Sequence, residues 1–224
     1  MERIYTSIAR KAAKITRRLV ARFRRLAGID YRSTLDESAV FAFLEGKSVA
    51  IVGNAASLSE ESWGADIDRC DIVIRFNRMP IPGALSHGTR TDVIATSIEI
   101  ERSAFVERGA SQIWWMSPRR DGIPRWMERS PHFFLYPKTR YAELQSLVAE
   151  RPTTGLMVIE LLSRAPCRAI GIFGFDFFHS ASLSQTKSRY RMPHDPKAEE
   201  QFVEKLLASD PRFHLHRPGA AARS

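Results

Sequence analysis

The sequence predicts a three-layer α/β domain, a Rossmann-like fold in which helices cover both faces of a mainly parallel sheet. Seven short apolar runs are bounded by turn residues, as expected for the buried strands of such a sheet. Helical segments separate several of these runs, and this alternation is typical of the α/β class. The 224 residues, 44% hydrophobic and 26% charged, have the composition of a globular protein with its own core.

The predicted elements follow the chain from residue 35, where we expect the folded domain (35–224) to begin after an N-terminal segment (1–34). The predicted strands are Val49–Gly53, Asp71–Phe76, Thr91–Thr96, Gln112–Met116, His132–Tyr136, Ala169–Phe175 and Phe213–His216. The predicted helices cover 99–108, 140–150, 155–164 and 196–208. No internal repeat interrupts this order.

The first 28 residues predict a basic amphipathic helix. They contain nine lysines and arginines and one acid, so they carry +8 of the net charge of +9. Their apolar residues recur every three or four positions and form one stripe: Ile4, Ile8, Ala12, Ile15, Leu19, Phe23 and Leu26. Such a helix lies in a membrane interface with its arginines among anionic headgroups. A solvated basic extension, a nucleic-acid-binding segment and an organellar transit peptide are the alternatives.

Two cysteines, Cys70 and Cys167, are too few for a disulfide framework and fit no zinc motif. No apolar run approaches the eighteen residues of a membrane-spanning helix. We therefore expect a cytoplasmic protein that is peripheral at the inner face of the membrane.

Polar residues follow the ends of the first two predicted strands. Asn54 follows the first strand, which ends at Gly53, and Asn77 follows the second. Because parallel strands end at one edge of the sheet, where ligands bind, both amides are candidates for contacts with ribose and phosphate oxygens. An ordinary turn at Asn54 and a loop-capping amide at Asn77 remain the structural alternatives.

Two further candidate sites lie at predicted helix starts. Thr153, Thr154 and Gly155 precede the apolar run 156–162, so a hydroxyl stands where a helix cap belongs and free N–H groups can receive an anion. Capping alone also explains these threonines. His194 precedes Asp195 as the helix cap and Pro196 at the first helical position, and Glu199 falls in the first turn. The positive end of this helix favours a neutral imidazole, which is the form a general base requires.

From about Val49 to Glu199, the order of these residues resembles the family 29 glycosyltransferases, the sialyltransferases, in a short bacterial-type form. The family's long motif is matched over 49–92, and its short motif by Thr153–Gly155 with Phe173-Gly174-Phe175. His194 and Glu199 match its His-x4-Glu motif. The resemblance implies an inverting, metal-independent transfer of sialic acid, Kdo or a related acidic sugar from a CMP-sugar to a glycan or glycolipid hydroxyl, of the lipopolysaccharide type. It implies no cofactor.

Carried over to this chain, the resemblance assigns His194 as the catalytic base. His179, in the preceding loop, is the candidate hydrogen-bond donor to the leaving phosphate, with Thr153 as a helper. The predicted CMP-sugar contacts are Asn54, Asn77, Thr153, Thr154, Gly155, Gly174 and Glu199. The expected partners are the CMP-sugar donor, the glycan or glycolipid acceptor and, through residues 1–28, an anionic membrane surface, with no nucleic acid.

The chain departs from the family pattern at three points. The histidine–tyrosine cluster ahead of the base is not recognisable around His179, and Asp176 stands where the short motif has glycine. Ser48 stands where animal enzymes have a cysteine that pairs with a short-motif cysteine, which leaves Cys167 without that partner.

An Asp-x-Asp sequence at Asp66 and Asp68 is typical of metal-dependent sugar transferases, but it lies inside the long-motif match and predicts a structural role. Two other functions stay open from the sequence: a nucleotide-binding protein of the same fold without transferase activity, and a basic membrane or nucleic-acid adaptor.

Overall fold

The computed structural model describes residues 12–217 except 13–14, 17–18, 21, 25, 28–29, 79–80 and 178–193. One seven-stranded sheet, parallel in every pairing, has the strand order β5-β4-β3-β2-β1-β6-β7. The strands are β1 Ser48–Val52, β2 Ile72–Phe76, β3 Val93–Thr96, β4 Gln112–Trp115, β5 Phe133–Leu135, β6 Ala169–Phe173 and β7 Phe213–His216.

Helices connect the strands. They are α1 Glu37–Leu44, α2 Gly64–Arg69, α3 Ala84–His87, α4 Arg102–Glu107, α5 Arg125–Glu128, α6 Lys138–Val148, α7 Thr154–Arg164 and α8 Pro196–Ser209, with a 3₁₀ helix at Ala56–Glu60. The caps follow from local chemistry: the Thr153 hydroxyl accepts from the Leu156 N–H to start α7, and the Asp195 carboxylate accepts from the Ala198 N–H to start α8.

The alternation of side chains along the strands builds the two sides of the core. Val49 and Ile51 of β1 point to the face covered by α1, α6, α7 and α8. Ala50 and Val52 point to the other face, against the 3₁₀ helix and α2, and α5 extends that layer over β4 and β5. The predicted three-layer architecture is therefore confirmed, and the sheet is parallel throughout.

The strand order places a crevice between β1 and β6. From β1 the chain builds the sheet outward through β2 to β5, and then returns to add β6 on the opposite side of β1. At such a topological switch the connections leave the carboxyl ends of neighbouring strands in opposite directions, which opens the position where ligands bind in this class.

The segment ahead of the domain is described in part. Described residues between Ala12 and Leu26 are helical, and the Arg24 guanidinium donates to a Glu128 carboxylate oxygen at 2.6 Å and lies over the Tyr31 ring at 4.4 Å from its centroid. The helix predicted over all of 1–28 stays a prediction, as does the domain boundary at residue 34, because the rest lies outside the described residues. No described helix is long and apolar enough to cross a membrane.

All seven predicted strands are present, with ends that shift by at most two residues. The four predicted helices correspond to α4, α6, α7 and α8. The sequence prediction missed α1 and the short helices α2, α3 and α5, which have four to eight residues and so complete too few turns to show a helical period.

Candidate active site

A cavity of about 290 Å³ opens at the switch point, beyond the carboxyl ends of β1, β2 and β6. Its wall contains eight residues selected from the sequence: Asn54, Asn77, Thr153, Thr154, Gly155, Gly174, His194 and Glu199. The ninth, His179, lies outside the described residues. Residues that are up to 145 positions apart in sequence therefore share one cavity.

The floor of the cavity is a close approach of two backbone turns. The Gly53 N–H donates to the Phe173 carbonyl at 2.7 Å, and the Ala55 N–H donates to the Gly174 carbonyl at 3.2 Å. A Cβ at Gly53 would lie 2.2 Å from the Gly174 oxygen, and Gly174 has a φ of +66°. Glycine is therefore required at both turns, and the contact fixes Asn54 in the cavity wall.

The orientation of the Asn77 amide follows from its neighbours. Its Oδ1 accepts from the Ser97 N–H at 3.0 Å and from the Thr96 hydroxyl at 3.2 Å. Because a backbone N–H only donates, this contact identifies the oxygen. Asn77 has a φ of +53°, a conformation that asparagine tolerates better than most residues. The Nδ2 hydrogens are thus the atoms that Asn77 can offer to a ligand in the cavity.

The N-terminus of α7 supplies further donors. The hydroxyl of Thr154, the first helical residue, lies 2.8 Å from the Ser97 hydroxyl. Within the described part of the chain, the N–H groups of Thr154 and Gly155 have no acceptor, as expected for the first turn of a helix. Gly155 packs against Phe175, whose ring would lie 2.6 Å from a Cβ at this position. The wall therefore presents free N–H groups at the positive end of an eleven-residue helix.

Glu199 from α8 holds this helix start in place. One carboxylate oxygen accepts from the Thr153 N–H at 2.7 Å, and the other from the Thr153 hydroxyl at 2.6 Å. The side chain is only 4% exposed, and burial raises its pKa to about 7 against the lowering effect of the two Thr153 bonds. The hydroxyl hydrogen of Thr153 is therefore committed to Glu199 and is not available for the helper role that the sequence suggests.

His194 stands just before the cap of α8. Its Nδ1 lies 2.6 Å from the Arg151 carbonyl oxygen, and only a protonated Nδ1 can donate to a carbonyl. Burial lowers the pKa of His194, the Arg151 carbonyl raises it and the Arg151 charge lowers it. The Arg151 contact therefore places the proton on Nδ1 and leaves the lone pair on Nε2, and burial, rather than the helix end expected from the sequence, is the main cause of the lowered pKa.

Sequence reasoning missed four residues of the cavity wall. Ser97, Ile98, Arg151 and Phe177 all line it. The signal for Arg151 was its position directly before the Pro152–Gly155 cap, whereas Ser97 gave none, because only the fold brings β3 alongside the start of α7. No described residue forms an ion pair or hydrogen bond with the Arg151 guanidinium, so this charge is available at the cavity.

The acidic residues of the long-motif match make structural contacts elsewhere. Asp68 accepts from the N–H groups of Thr89 and Arg90 at 2.8–3.0 Å, and Asp66 pairs with Arg69. Asp92 accepts from the Val73 N–H at 2.8 Å. Among the described residues no three acidic, histidine or cysteine side chains are grouped as a metal site would require.

Comparison of the sequence with known families gives one partial match. Residues 14–114 match the profile of glycosyltransferase family 29 (sialyltransferase), a segment that includes Asn54 and Asn77. No curated protein matches the chain by sequence.

Solved structures share the fold at low sequence identity. A mammalian sialyltransferase superposes with a TM-score of 0.62 at 18% identity, over 81% of this chain and 73% of that one. The sialyltransferase CstII from Campylobacter jejuni, in complex with the substrate analogue CMP-3FNeuAc, gives a TM-score of 0.57 at 15% identity, over 77% and 83%. A mammalian sialyltransferase in complex with Gal-beta-1-3GalNAc-ortho-nitrophenol gives 0.59 at 18%, over 81% and 73%. By its partial profile match and its shared fold, the chain is similar to glycosyltransferase family 29, the sialyltransferase family.

Proposed function

We propose that this protein transfers sialic acid, Kdo or a related acidic sugar from a CMP-sugar to a hydroxyl of a glycan or glycolipid, with inversion and without a metal. The observation that supports this most strongly is the presence, in one cavity, of a histidine with its lone pair on Nε2 and of a helix N-terminus with free N–H groups. The first suits a base and the second an anionic leaving group. The known sialyltransferase structures include complexes with CMP and a CMP-sugar analogue.

The base in this proposal is His194. The acceptor hydroxyl oxygen attacks the anomeric carbon from the face opposite the CMP, and its proton passes to Nε2 of the imidazole. The Nδ1 bond to the Arg151 carbonyl keeps the ring oriented and becomes stronger once the imidazole is charged. Burial works in the other direction, since it keeps the resting ring neutral near pH 7.

The leaving group is the CMP phosphate. As the anomeric carbon–oxygen bond breaks, its electron pair stays on the phosphate oxygen, where charge develops. The N–H groups of Thr154 and Gly155 and the Nδ2 hydrogens of Asn77 are fixed donors for that charge, and Arg151 adds a cation. Asn54 stands across the cavity as a contact to the nucleotide, with Gly174 beside it. Asp176 is held by the Ser57 hydroxyl at 3.1 Å.

Two further residues have supporting roles in the proposal. His179 stays the candidate proton donor to the phosphate, and Glu199 acts through Thr153 as a positioning residue for the start of α7.

We place the enzyme at the inner face of the cytoplasmic membrane through residues 1–28. The described part of the predicted apolar stripe is solvent-exposed, with exposed fractions of 59–80% for Ile15, Leu19, Phe23 and Leu26. On the same helical segment, Arg24 is tied to Glu128 of the domain. A helix held by one face, with an uncovered apolar stripe and many basic residues, suits an anionic membrane surface.

Donor turnover and CMP affinity test the catalytic assignment together. Purified protein is given CMP-sialic acid or CMP-Kdo with a panel of soluble saccharide acceptors, with and without chelator. His194→Ala is expected to lower turnover by roughly 10²–10⁴-fold while CMP affinity stays within a few fold of wild type. His194→Asn, whose amide can still donate to the Arg151 carbonyl, is expected to lose as much turnover. His214→Ala, an exposed histidine on β7, is the matched control.

Three outcomes contradict parts of the proposal. Turnover retained in both His194 variants refutes the base. Turnover abolished by chelator refutes metal independence. A product with the same anomeric configuration as the donor refutes inversion. CMP binding by wild type without transfer to any acceptor favours a nucleotide-binding protein that has lost the reaction.

A further inference from the structure

A groove on the side of the domain remote from the cavity is lined by apolar and basic residues. It runs between α4 and α5 and beside the start of β5, and its walls contain Arg102, Arg125, Arg129 and His132. Its apolar floor includes Phe105 and Trp126, whose rings lie 5.4 Å apart between centroids. None of the described residues that line it is acidic.

The three arginines have no structural partner. Within the described part of the chain, the side chains of Arg102, Arg125 and Arg129 form no ion pair and no hydrogen bond, and all three residues are exposed. Arg102 and Arg125 are each the first residue of a helix, where a positive charge is unfavourable. Contacts within the described part of the chain therefore do not account for this concentration of charge.

The attachment point of the N-terminal helix lies on α5, which also lines the groove. Glu128, which pairs with Arg24 of that helix, lies on α5 between Arg125 and Arg129 of the groove. The exposed apolar stripe and the groove are thus joined through one short helix. An aromatic floor below a ring of guanidinium groups matches the interface of a bilayer, where tryptophan rings lie at headgroup level and arginine binds phosphate with two donors.

We propose that this groove binds the phosphate headgroups of anionic phospholipids and forms, with the N-terminal helix, a two-part membrane surface. The proposal depends on the peripheral membrane location argued above and adds a second contact, made by the folded domain itself. Two separate contacts would restrict how the domain sits on the bilayer, whereas a single helix leaves it free to rotate.

Vesicle binding by the full-length protein tests this assignment. The probe is a vesicle of phosphatidylcholine with one quarter phosphatidylglycerol, compared with phosphatidylcholine alone. Since each basic residue near an anionic surface contributes roughly fivefold in affinity, the variant R102Q/R125Q/R129Q is expected to lose at least tenfold in partition coefficient. The control R140Q/R168Q/K205Q removes three positive charges elsewhere and is expected to lose less than threefold.

A spectroscopic signal reports on the groove directly. Phospholipids brominated on the acyl chain are expected to quench the fluorescence of Trp126, and Trp126→Phe removes the quenched component. Trp114 and Trp115 are buried in the core and stay unquenched. Turnover of a CMP-sugar with a soluble acceptor is expected to be the same for wild type and both triple variants, because the groove is remote from the cavity.

Several results would overturn the groove assignment. The first two are equal losses of vesicle affinity in the two triple variants and an absence of Trp126 quenching. The other two concern the variant R102Q/R125Q/R129Q: it loses affinity for duplex DNA but keeps its affinity for vesicles, or its mass at sedimentation equilibrium differs from that of wild type. If Leu19→Glu with Phe23→Glu abolishes vesicle binding while the groove variant binds as wild type, the helix alone is the membrane contact. Absence of turnover with every donor sinks the transferase proposal and leaves these vesicle measurements unaffected.

Discussion

Replacement of Glu199 by glutamine is expected to change how the stability of the protein depends on pH. In the folded protein, burial raises the pKa of Glu199 to about 7, compared with 4.5 for an ordinary glutamate. The folded state therefore binds this proton more tightly than the unfolded chain does. Its stabilising contribution is complete below pH 4.5 and is lost as the pH rises through 7.

The size of the effect follows from the two pKa values. A difference of one in pKa corresponds to 1.36 kcal/mol, so the loss between pH 4.5 and pH 8 is about 3.4 kcal/mol. For a chain of this length, that is roughly 7–14 °C in melting temperature. Glutamine keeps an oxygen to accept from the Thr153 N–H and offers an amide to its hydroxyl, so the variant imitates the protonated carboxyl at every pH.

Urea unfolding from pH 5 to pH 9 measures this contribution. We subtract the free energy of unfolding of wild type from that of Glu199→Gln and expect this difference to rise by about 3 kcal/mol across the range. His194 is present in both proteins, so its contribution cancels in the difference. Glu204→Gln, an exposed carboxylate on the same helix, is the control and is expected to give a flat difference. A flat difference for Glu199→Gln as well would refute the reasoning that burial holds a proton on this carboxyl.

Three further results are expected. Because burial lowers the pKa of His194, kcat/KM is expected to rise through a pKa below 6.5 and to be level above pH 7, and a midpoint above 7 would exclude this imidazole as the base. Gly155→Ala, whose Cβ would lie 2.6 Å from the Phe175 ring, is expected to cost about 1–3 kcal/mol in unfolding and to weaken CMP binding in titration calorimetry; wild-type affinity would contradict the tight packing. Tyr136→Phe removes the hydroxyl that donates to Glu160 at 2.5 Å and is expected to cost about 1–3 kcal/mol while CMP affinity stays unchanged, since the pair lies outside the cavity wall.

The fold was predictable because its strands are buried on both faces. β1 is apolar after Ser48 and β2 is interrupted only by Arg75, and short apolar runs bounded by turn residues are typical of buried parallel strands. The order of strands, and with it the switch point between β1 and β6, depends on pairings between residues 100 and more apart, such as Ser48 with Ala169. No local pattern encodes them.

The candidate site was predictable where a residue's role is local. Thr153 caps α7 and Asp195 caps α8 through bonds that span three residues, and both follow from short sequence patterns. The partners of Glu199 and Asn77 lie 46 and 20 residues away, so the sequence selected both residues but did not indicate these contacts. Ser97 had no local signal at all.

The contact between Glu199 and Thr153 also couples substrate binding to a proton. The carboxyl lies beside the first N–H groups of α7, where the proposed mechanism places the phosphate of CMP. Two anions so close repel each other, so a bound phosphate raises the pKa of Glu199 further above 7 and favours its protonated form. By linkage, CMP binding at pH 7–8 should take up part of a proton and become tighter as the pH falls. Titration calorimetry in buffers of different ionisation enthalpy measures that uptake, with Glu199→Gln expected to abolish the component due to this carboxyl. The phosphate's own titration is present in both proteins and cancels in their difference, so equal uptake in the two would mean that the phosphate binds away from the start of α7.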